Sequence, residues 1–287
     1  MSTYENPQIP EGINVSPAHP LKEFGLLLGG ISALAVIAVL ALAVAAGYLV
    51  QFIPFAQEQA LASSINADRL KQSHSAEDRR REEYLQSLGK RLSAAMDLPE
   101  GMRITVHYSS DSTVNAMATL GGNIIVFQGL IDTVDSENAL AMVLAHEIAH
   151  IHHRHPIIAM GRGFTIMLAL SALSGVGDGL MQQWIGSMGI LPVLAFNREQ
   201  EEVADADALQ ALLRVYGHAT GATAFFEHVA HRSGLPEPPA ILNTHPDTEV
   251  RLARIRRFEQ TQARHNSPTL NPLPEYMKRA NQDAASS

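Results

Sequence analysis

The sequence predicts an α+β fold: a mainly helical domain with a small β-sheet, preceded by one N-terminal transmembrane helix. Three observations predict it. Phe24–Val50 contains no charged residue, and about 20 consecutive apolar residues suffice to cross a bilayer as a helix. Arg103–Phe127 breaks into short β-branched runs around a glycine turn, the pattern of short strands. Ala145–Pro156, which reads AHEIAHIHHRHP, sets an H-E-x-x-H spacing inside an apolar helical repeat.

Composition bounds the answer. A chain of 287 residues holds one large domain plus appendages. With 46% hydrophobic and 17% charged residues, disorder throughout is excluded. The formal net charge of −8 and the lack of a basic face or nucleic-acid motif argue against a nucleic-acid partner. The absence of cysteine rules out disulfides, Cys-ligated zinc and lipid attachment through cysteine, and leaves the redox compartment undecided.

In chain order, Met1–Pro20 is rich in Pro, Asn and Gly, and residues 1–23 read as a disordered N-terminus. Residues 24–50 form the anchor. Ala43-Val44-Ala45 resembles a signal-cleavage site, but the apolar run exceeds the roughly 7–15 residues of a signal peptide, so an uncleaved span is the better reading. Lys22 precedes the span and no Lys or Arg follows until Arg69. This bias favours a cytoplasmic N-terminus and an exported domain. Residues 51–76 read as a linker, helical or flexible.

Glu77–Met96 is an amphipathic helix with Tyr84, Leu85, Leu88 and Leu92 on its apolar face, and its Arg79–Arg81 run reads as a solvated face. Leu98-Pro99-Glu100-Gly101 breaks it. Arg103–Tyr108 and Val114–Thr119 read as strands, and Gly121-Gly122-Asn123 turns the chain into a third, Ile124–Phe127. Ser136-Glu137 begins a helix whose apolar positions are Leu140, Val143, Leu144, Ile148 and Ile151. On that helix His146 and His150 stand at i and i+4, so both imidazoles point the same way. They offer two neutral nitrogens to one zinc ion, with Glu147 beside them to hold and deprotonate a water.

A third ligand is needed. Asn197–Leu209, NREQEEVADADAL, is helical by composition and offers Glu199, Glu201, Glu202, Asp205 and Asp207; chemistry alone does not choose among them. Between the two helices, the apolar pieces Phe164–Leu173 and Leu180–Phe196 flank a glycine-rich break. They read as completing the core or as a Met-rich lid touching lipid or substrate. Val215–Arg232 reads as a helix, Pro236–Pro239 as a loop, Arg251–Gln262 as the closing helix, and residues 263–287 as a disordered tail.

Asn115–Val126 (NAMATLGGNIIV), Gly129-Leu130, Ser136-Glu137 and the HEIAH helix together resemble the gluzincin family that contains HtpX, BepA and the CAAX prenyl proteases, and most of all the BepA-type catalytic domain. The resemblance covers roughly Glu77–Gln262 and implies a zincin-like metallopeptidase domain over residues 77–262 with one Zn2+ per chain. Its R-x-x-E-x-x-A-D pattern maps onto Arg198, Glu201, Ala204 and Asp205, which implies Glu201 as the third ligand. Asp205, one turn on along the same face, then holds a ligand histidine from behind, with Arg198 nearby. The family's substrate-pairing edge strand implies that role for Asn115, Ala116, Met117 and Ala118, whose backbone would pair with an extended peptide.

His245, in an element like the family's T-H-P…R, is implied either as an oxyanion stabiliser or as a fourth zinc position in a resting state. His155 is implied as structural, His152 and His153 read as solvent-facing, and no second metal is expected. Relatives of the BepA type carry a tetratricopeptide array, for which this chain has no room. The expectation is a membrane-anchored zinc endopeptidase of the bacterial inner membrane with a periplasmic catalytic domain. Its implied substrates are unfolded or misassembled envelope or membrane proteins. The alternative is an envelope chaperone or assembly factor with little turnover. Nothing in the sequence reads on oligomeric state.

Overall fold

The computed structural model describes residues 19–66, 75–174, 196–232, 240–241, 245, 248–262 and 269–279. The expectations for residues 1–18, for the 67–74 part of the linker, for most of the second apolar piece at 175–195 and for the Pro236–Pro239 loop lie outside the described residues. So do those for Thr244 and Pro246 and for both ends of the tail.

Nine α-helices and three strands follow in order among the described residues: α1 (Pro20–Leu49), α2 (Phe55–Asn66), α3 (Ala76–Ala95), β1 (Thr105–Ser109), β2 (Ala116–Ala118), β3 (Asn123–Phe127), α4 (Gln128–Thr133), α5 (Glu137–His152), α6 (His155–Ser174), α7 (Arg198–Tyr216), α8 (Ala224–Arg232) and α9 (Thr248–Gln262). The chain divides into two units, residues 1–42 and 43–287. In the first, α1 begins at Pro20 rather than after residue 23. Proline is pre-set for a first helical position, so Lys22 and Glu23 join the helix. Pro20–Phe52 is the one described segment long and apolar enough to cross a membrane, its most apolar 18-residue stretch having a mean hydropathy of 2.7.

The second unit is built around α5. Every residue from Glu137 to Ile151 is buried, and α3, α7 and the sheet pack around it. Ser136 caps the helix by accepting the Ala139 N–H. Glu137, in its first turn, accepts from Tyr84 Oη, from Arg91 at 2.7 Å and from Tyr216 Oη at 2.9 Å, tying α3, α5 and α7 at one point. The apolar face of α3 lies where its periodicity places it, with Leu85, Leu88 and Leu92 buried. Ser75 and Asp78 close a capping box ahead of it.

The sheet has the order β1-β3-β2. β1 runs parallel to β3, with Thr105 opposite Asn123; β2 runs antiparallel to it, with Ala116 opposite Val126. The outer edge of β1 is covered by α3: Gln86 accepts the Val106 N–H at 2.7 Å and Glu82 the Tyr108 N–H at 2.9 Å. β2 is the other edge. In its turn to β3, Gly122 sits at φ 84°, and a Cβ there would lie 2.0 Å from the Arg103 carbonyl oxygen.

Four expectations are corrected. The linker is helical over Phe55–Asn66, one of its two expected forms, but it is not a plain spacer. Its helix α2 packs on the turn after β2, where buried Glu58 accepts the Gly121 N–H at 2.8 Å and pairs with Arg154 at 2.8 Å. Arg154 holds a left-handed φ of 60°, a costly conformation for a side-chain-bearing residue, and also donates to the Ile53 carbonyl. The Arg79–Arg81 run is not simply solvated, because Arg80 lies over the Tyr276 ring and Arg81 donates to the Tyr276 carbonyl. The tail is ordered over residues 269–279: Met277 is fully buried, Asn271 accepts the Glu137 N–H, and its own N–H goes to Asn138. Finally, Val215–Arg232 is not one helix. α7 runs to Tyr216 and stops at Gly217, whose φ of 78° is the left-handed cap that glycine supplies; α8 starts at Ala224.

Candidate metal centre

α5 and α7 pack along one another, and their facing side chains are polar where a core would ordinarily be apolar. His146, His150 and Glu201 are all buried. They are joined by His245, also buried and placed between α8 and α9 in the chain. Asn197 and Gln200 form a capping box at the start of α7, which sets the helix so that Glu201 and Asp205, one turn apart, both face α5.

The donor atoms converge. His146 Nε2 is 2.9 Å from His150 Nε2, 3.2 Å from His245 Nδ1 and 3.4 Å from Glu201 Oε2. Glu201 Oε1 lies 3.4 Å from His150 Nε2 and 3.0 Å from His245 Nδ1. A tetrahedral zinc ion bound at about 2.0–2.1 Å holds its ligand atoms roughly 3.3 Å apart, so this donor set fits such an ion. Glu147 points into the same space. Its Oε2 accepts the Ala118 N–H at 2.7 Å, while its buried Oε1 makes no hydrogen bond among the described residues and lies 3.5 Å from His245 Nε2. A buried carboxylate oxygen left without a donor is costly in a core and suits a site that handles protons.

The electrostatics separate the two glutamates. Burial pushes Glu147 above the usual carboxylate range, and His245, His146 and the Ala118 N–H only partly oppose it. Burial works on Glu201 the same way but is overcome by His245, His146 and His150, which hold its carboxyl far below that range. Asp205, also buried, is kept ionised by Arg251 and His146. Burial pushes His150 well down, a neutral imidazole being the form that binds metal. Behind the donors, Asp205 Oδ1 is 3.0 Å from His146 Nδ1, a contact that fixes the tautomer presenting Nε2 forward. His155 Nδ1 is 2.7 Å from His150 Nδ1 and does the same for the second imidazole.

Phe196 escaped the sequence reading, and Arg251, the arginine of the T-H-P…R element, was given no role of its own there. Arg251 is 2% exposed and forms a bidentate pair with Asp205, at 2.9 and 2.7 Å, and a single contact with Glu201 at 2.6 Å. Its signal was present: it shares the buried stripe of α9 with Leu252 and Ile255, where a charged residue demands a partner. Arg198 does not take that place; it is exposed on the first turn of α7, at the rim of a cavity of about 100 Å³ shared with Glu201, Val250, Arg251 and Arg254. Phe196 stacks on His150 with ring centroids 3.9 Å apart and closes one side of the centre; nothing in the sequence marked it.

β2 lies directly beside the centre. Asn115 and Thr119 bond to β3 through the Phe127 N–H and the Asn123 carbonyl. The alternation of an antiparallel ladder therefore turns the peptide groups of Ala116 and Ala118 away from β3, and the Ala118 N–H meets Glu147. Asn115, Ala116, Met117 and Ala118 are all buried, so the edge is an internal wall in this conformation and not the exposed strand expected. His152 and His153 are corrected too: they are half-buried and face Asp207.

Residues 79–259, well over half of the chain, match the model of peptidase family M48. The chain is 30% identical over 196 residues to the beta-barrel assembly-enhancing protease of Escherichia coli (strain K12), covering 61% of this chain and 38% of that protein. It is 29% identical over 178 residues to the mitochondrial metalloendopeptidase OMA1 of Schizosaccharomyces pombe, covering 61% and 52%. To the metalloprotease YcaL of Escherichia coli it is 31% identical over 156 residues, covering 53% and 59%. The chain thus spans less than two thirds of the length of each of these curated relatives. From the family match and these relatives together, the chain belongs to peptidase family M48.

Proposed function

We propose that the chain is a membrane-anchored zinc endopeptidase. The observation that carries the reading is the convergence of His146, His150 and Glu201 on one point, with the unpartnered Glu147 Oε1 beside it. These three residues would hold the ion, and zinc bound there supplies Lewis-acid polarisation of a carbonyl and activation of water near neutral pH. Glu147, with its rotamer set by the Ala118 N–H, takes the proton from water and passes it to the leaving amine. A substrate strand laid along Ala116 and Ala118 brings its scissile carbonyl next to that carboxylate. Asp205, His155 and Arg251 keep the ligands oriented.

The substrates by this reading are unfolded or misassembled envelope proteins. One support is that a relative is named for β-barrel assembly. The other is that an anchor at Phe24–Val50 would hold the domain at the membrane, raising the local concentration of such clients. Lys22 before the span favours a bacterial inner-membrane protein with the domain on the periplasmic side.

One observation favours a second reading, a client-binding chaperone or assembly factor with little turnover. His245 Nδ1 sits among the donors, filling the position that a catalytic centre keeps open. The experiment pairs zinc content with cleavage of casein by the full chain in detergent, in wild type and Glu147→Gln. The proposal expects one zinc in both and a rate roughly 10²–10⁴-fold lower in the variant, the range of a general base. Zinc in both with cleavage in neither favours the second reading, and His245→Ala then distinguishes a resting enzyme from a scaffold. No zinc in either overturns both.

A further inference from the structure

The last turn of α5 carries a second histidine pair, separate from the buried centre. His153 Nε2 lies 2.8 Å from Asp207 Oδ2 and His152 Nδ1 lies 3.7 Å from the same oxygen. The two rings stack with centroids 4.9 Å apart, and the three donor atoms fall within 4.8 Å of one another. A simple ion pair accounts for His153 and Asp207 but not for His152. Its Nδ1 is shielded from solvent and makes no hydrogen bond among the described residues, and 3.7 Å is too long for one. Such spacing is close to that of two ligands sharing an ion. The side chains keep between 25% and 35% of their surface exposed, so water can reach the remaining positions. The group also sits at the C-terminal end of α5, where the helix dipole favours a cation.

We propose that His152, His153 and Asp207 form a second, solvent-open site for a divalent transition metal, Zn2+ or an ion of similar preference. Two imidazoles and one carboxylate match zinc, nickel and copper rather than the all-oxygen sets of magnesium and calcium. With three protein ligands and partial exposure, it binds more weakly than the buried centre. The same two helices carry both sites, so an ion here fastens the C-terminal end of α5 to α7 just beyond the buried donors.

The test is equilibrium dialysis of the full chain in detergent against Zn2+, with metal counted by mass spectrometry. Wild type is expected to take up a second, weaker equivalent that His152→Ala/His153→Ala loses while keeping the first. Asp207→Asn, which preserves shape, is expected to lose the same equivalent, so a folding failure of the double variant does not decide the matter. In His146→Ala/His150→Ala, Zn2+ still binds one equivalent and raises the Tm, a readout that stands even if the buried centre holds no zinc. Failure of His146→Ala/His150→Ala to take up an equivalent, or a weaker equivalent in wild type that survives Asp207→Asn, overturns the proposal.

Discussion

The two ends of the α5–α7 pair use the same residue types to different effect. At the inner end His146, His150, Glu201 and Asp205 have side chains no more than 3% exposed. At the outer end His152, His153 and Asp207 keep a quarter to a third of their surface in water. Inside, water is excluded and the protein must supply the partners, which is why Arg251 reaches both carboxylates and the backbone of β2 reaches one oxygen of Glu147, its Oε1 being left without a donor among the described residues. Outside, the exposed parts of the three side chains are open to water, and the groups interact weakly. Burial, more than residue identity, decides which cluster is costly to disturb.

The comparison can be broken most directly at Arg251. Arg251→Met removes the counter-charge of two buried carboxylates, and loss of one partner of a buried pair costs about 3–5 kcal/mol. Chemical denaturation followed by circular dichroism measures it, and a loss under about 1 kcal/mol would place Glu201 and Asp205 in contact with water. Asp205→Asn and Asp207→Asn, two residues apart, sharpen the contrast. The first is expected to lower zinc affinity at the buried centre roughly 10–100-fold, the usual effect of removing a residue that orients a ligand histidine. The second is expected to change stability by less than about 1 kcal/mol, and equal stability losses would erase the distinction between the ends.

Glu137 gives a pH test away from either cluster. Burial works against its ionised form, but Tyr84, Arg91 and Tyr216 prevail and lower its pKa. Its contribution is therefore present above the unfolded value of about 4.3 and is lost as pH falls through the depressed folded value. Stability should fall more steeply with acid in wild type than in Glu137→Gln; parallel curves would remove Glu137 from the account. The smallest effect is expected at the surface pair of Arg256 and Glu227, 3.0 Å apart with both side chains at least 40% exposed. Arg256→Ala should cost about 0–1 kcal/mol and less at high salt.

Much of this was legible because it is local. The Ser136 cap, the apolar repeat of α5 and the i, i+4 histidines are all encoded within one helix, and β1 and β3 follow from alternation and from a β-branched run beside Gly121-Gly122. The convergence of α7 on α5 needed a family pattern, since five carboxylates competed in one segment. What escaped depends on distant pairs: Arg251 with Asp205, Arg81 with the Tyr276 carbonyl, Asn271 with Glu137. No periodicity reports a contact between residues far apart in the chain. Gly217 was different, a visible helix stop that the long helical reading ran through.

The buried Glu58 gives α2 a mechanical meaning. One carboxylate grips Gly121, beyond the strand proposed to receive substrate, and Arg154, beyond the helix that bears the histidines. A displacement of α2 would therefore reach the turn after β2 and the end of α5 at once, like a single tie rod fixed to two jaws. A fragment trimmed at the compositional boundary near Glu77 would keep every donor of the centre yet lose the part that sets the jaws against each other.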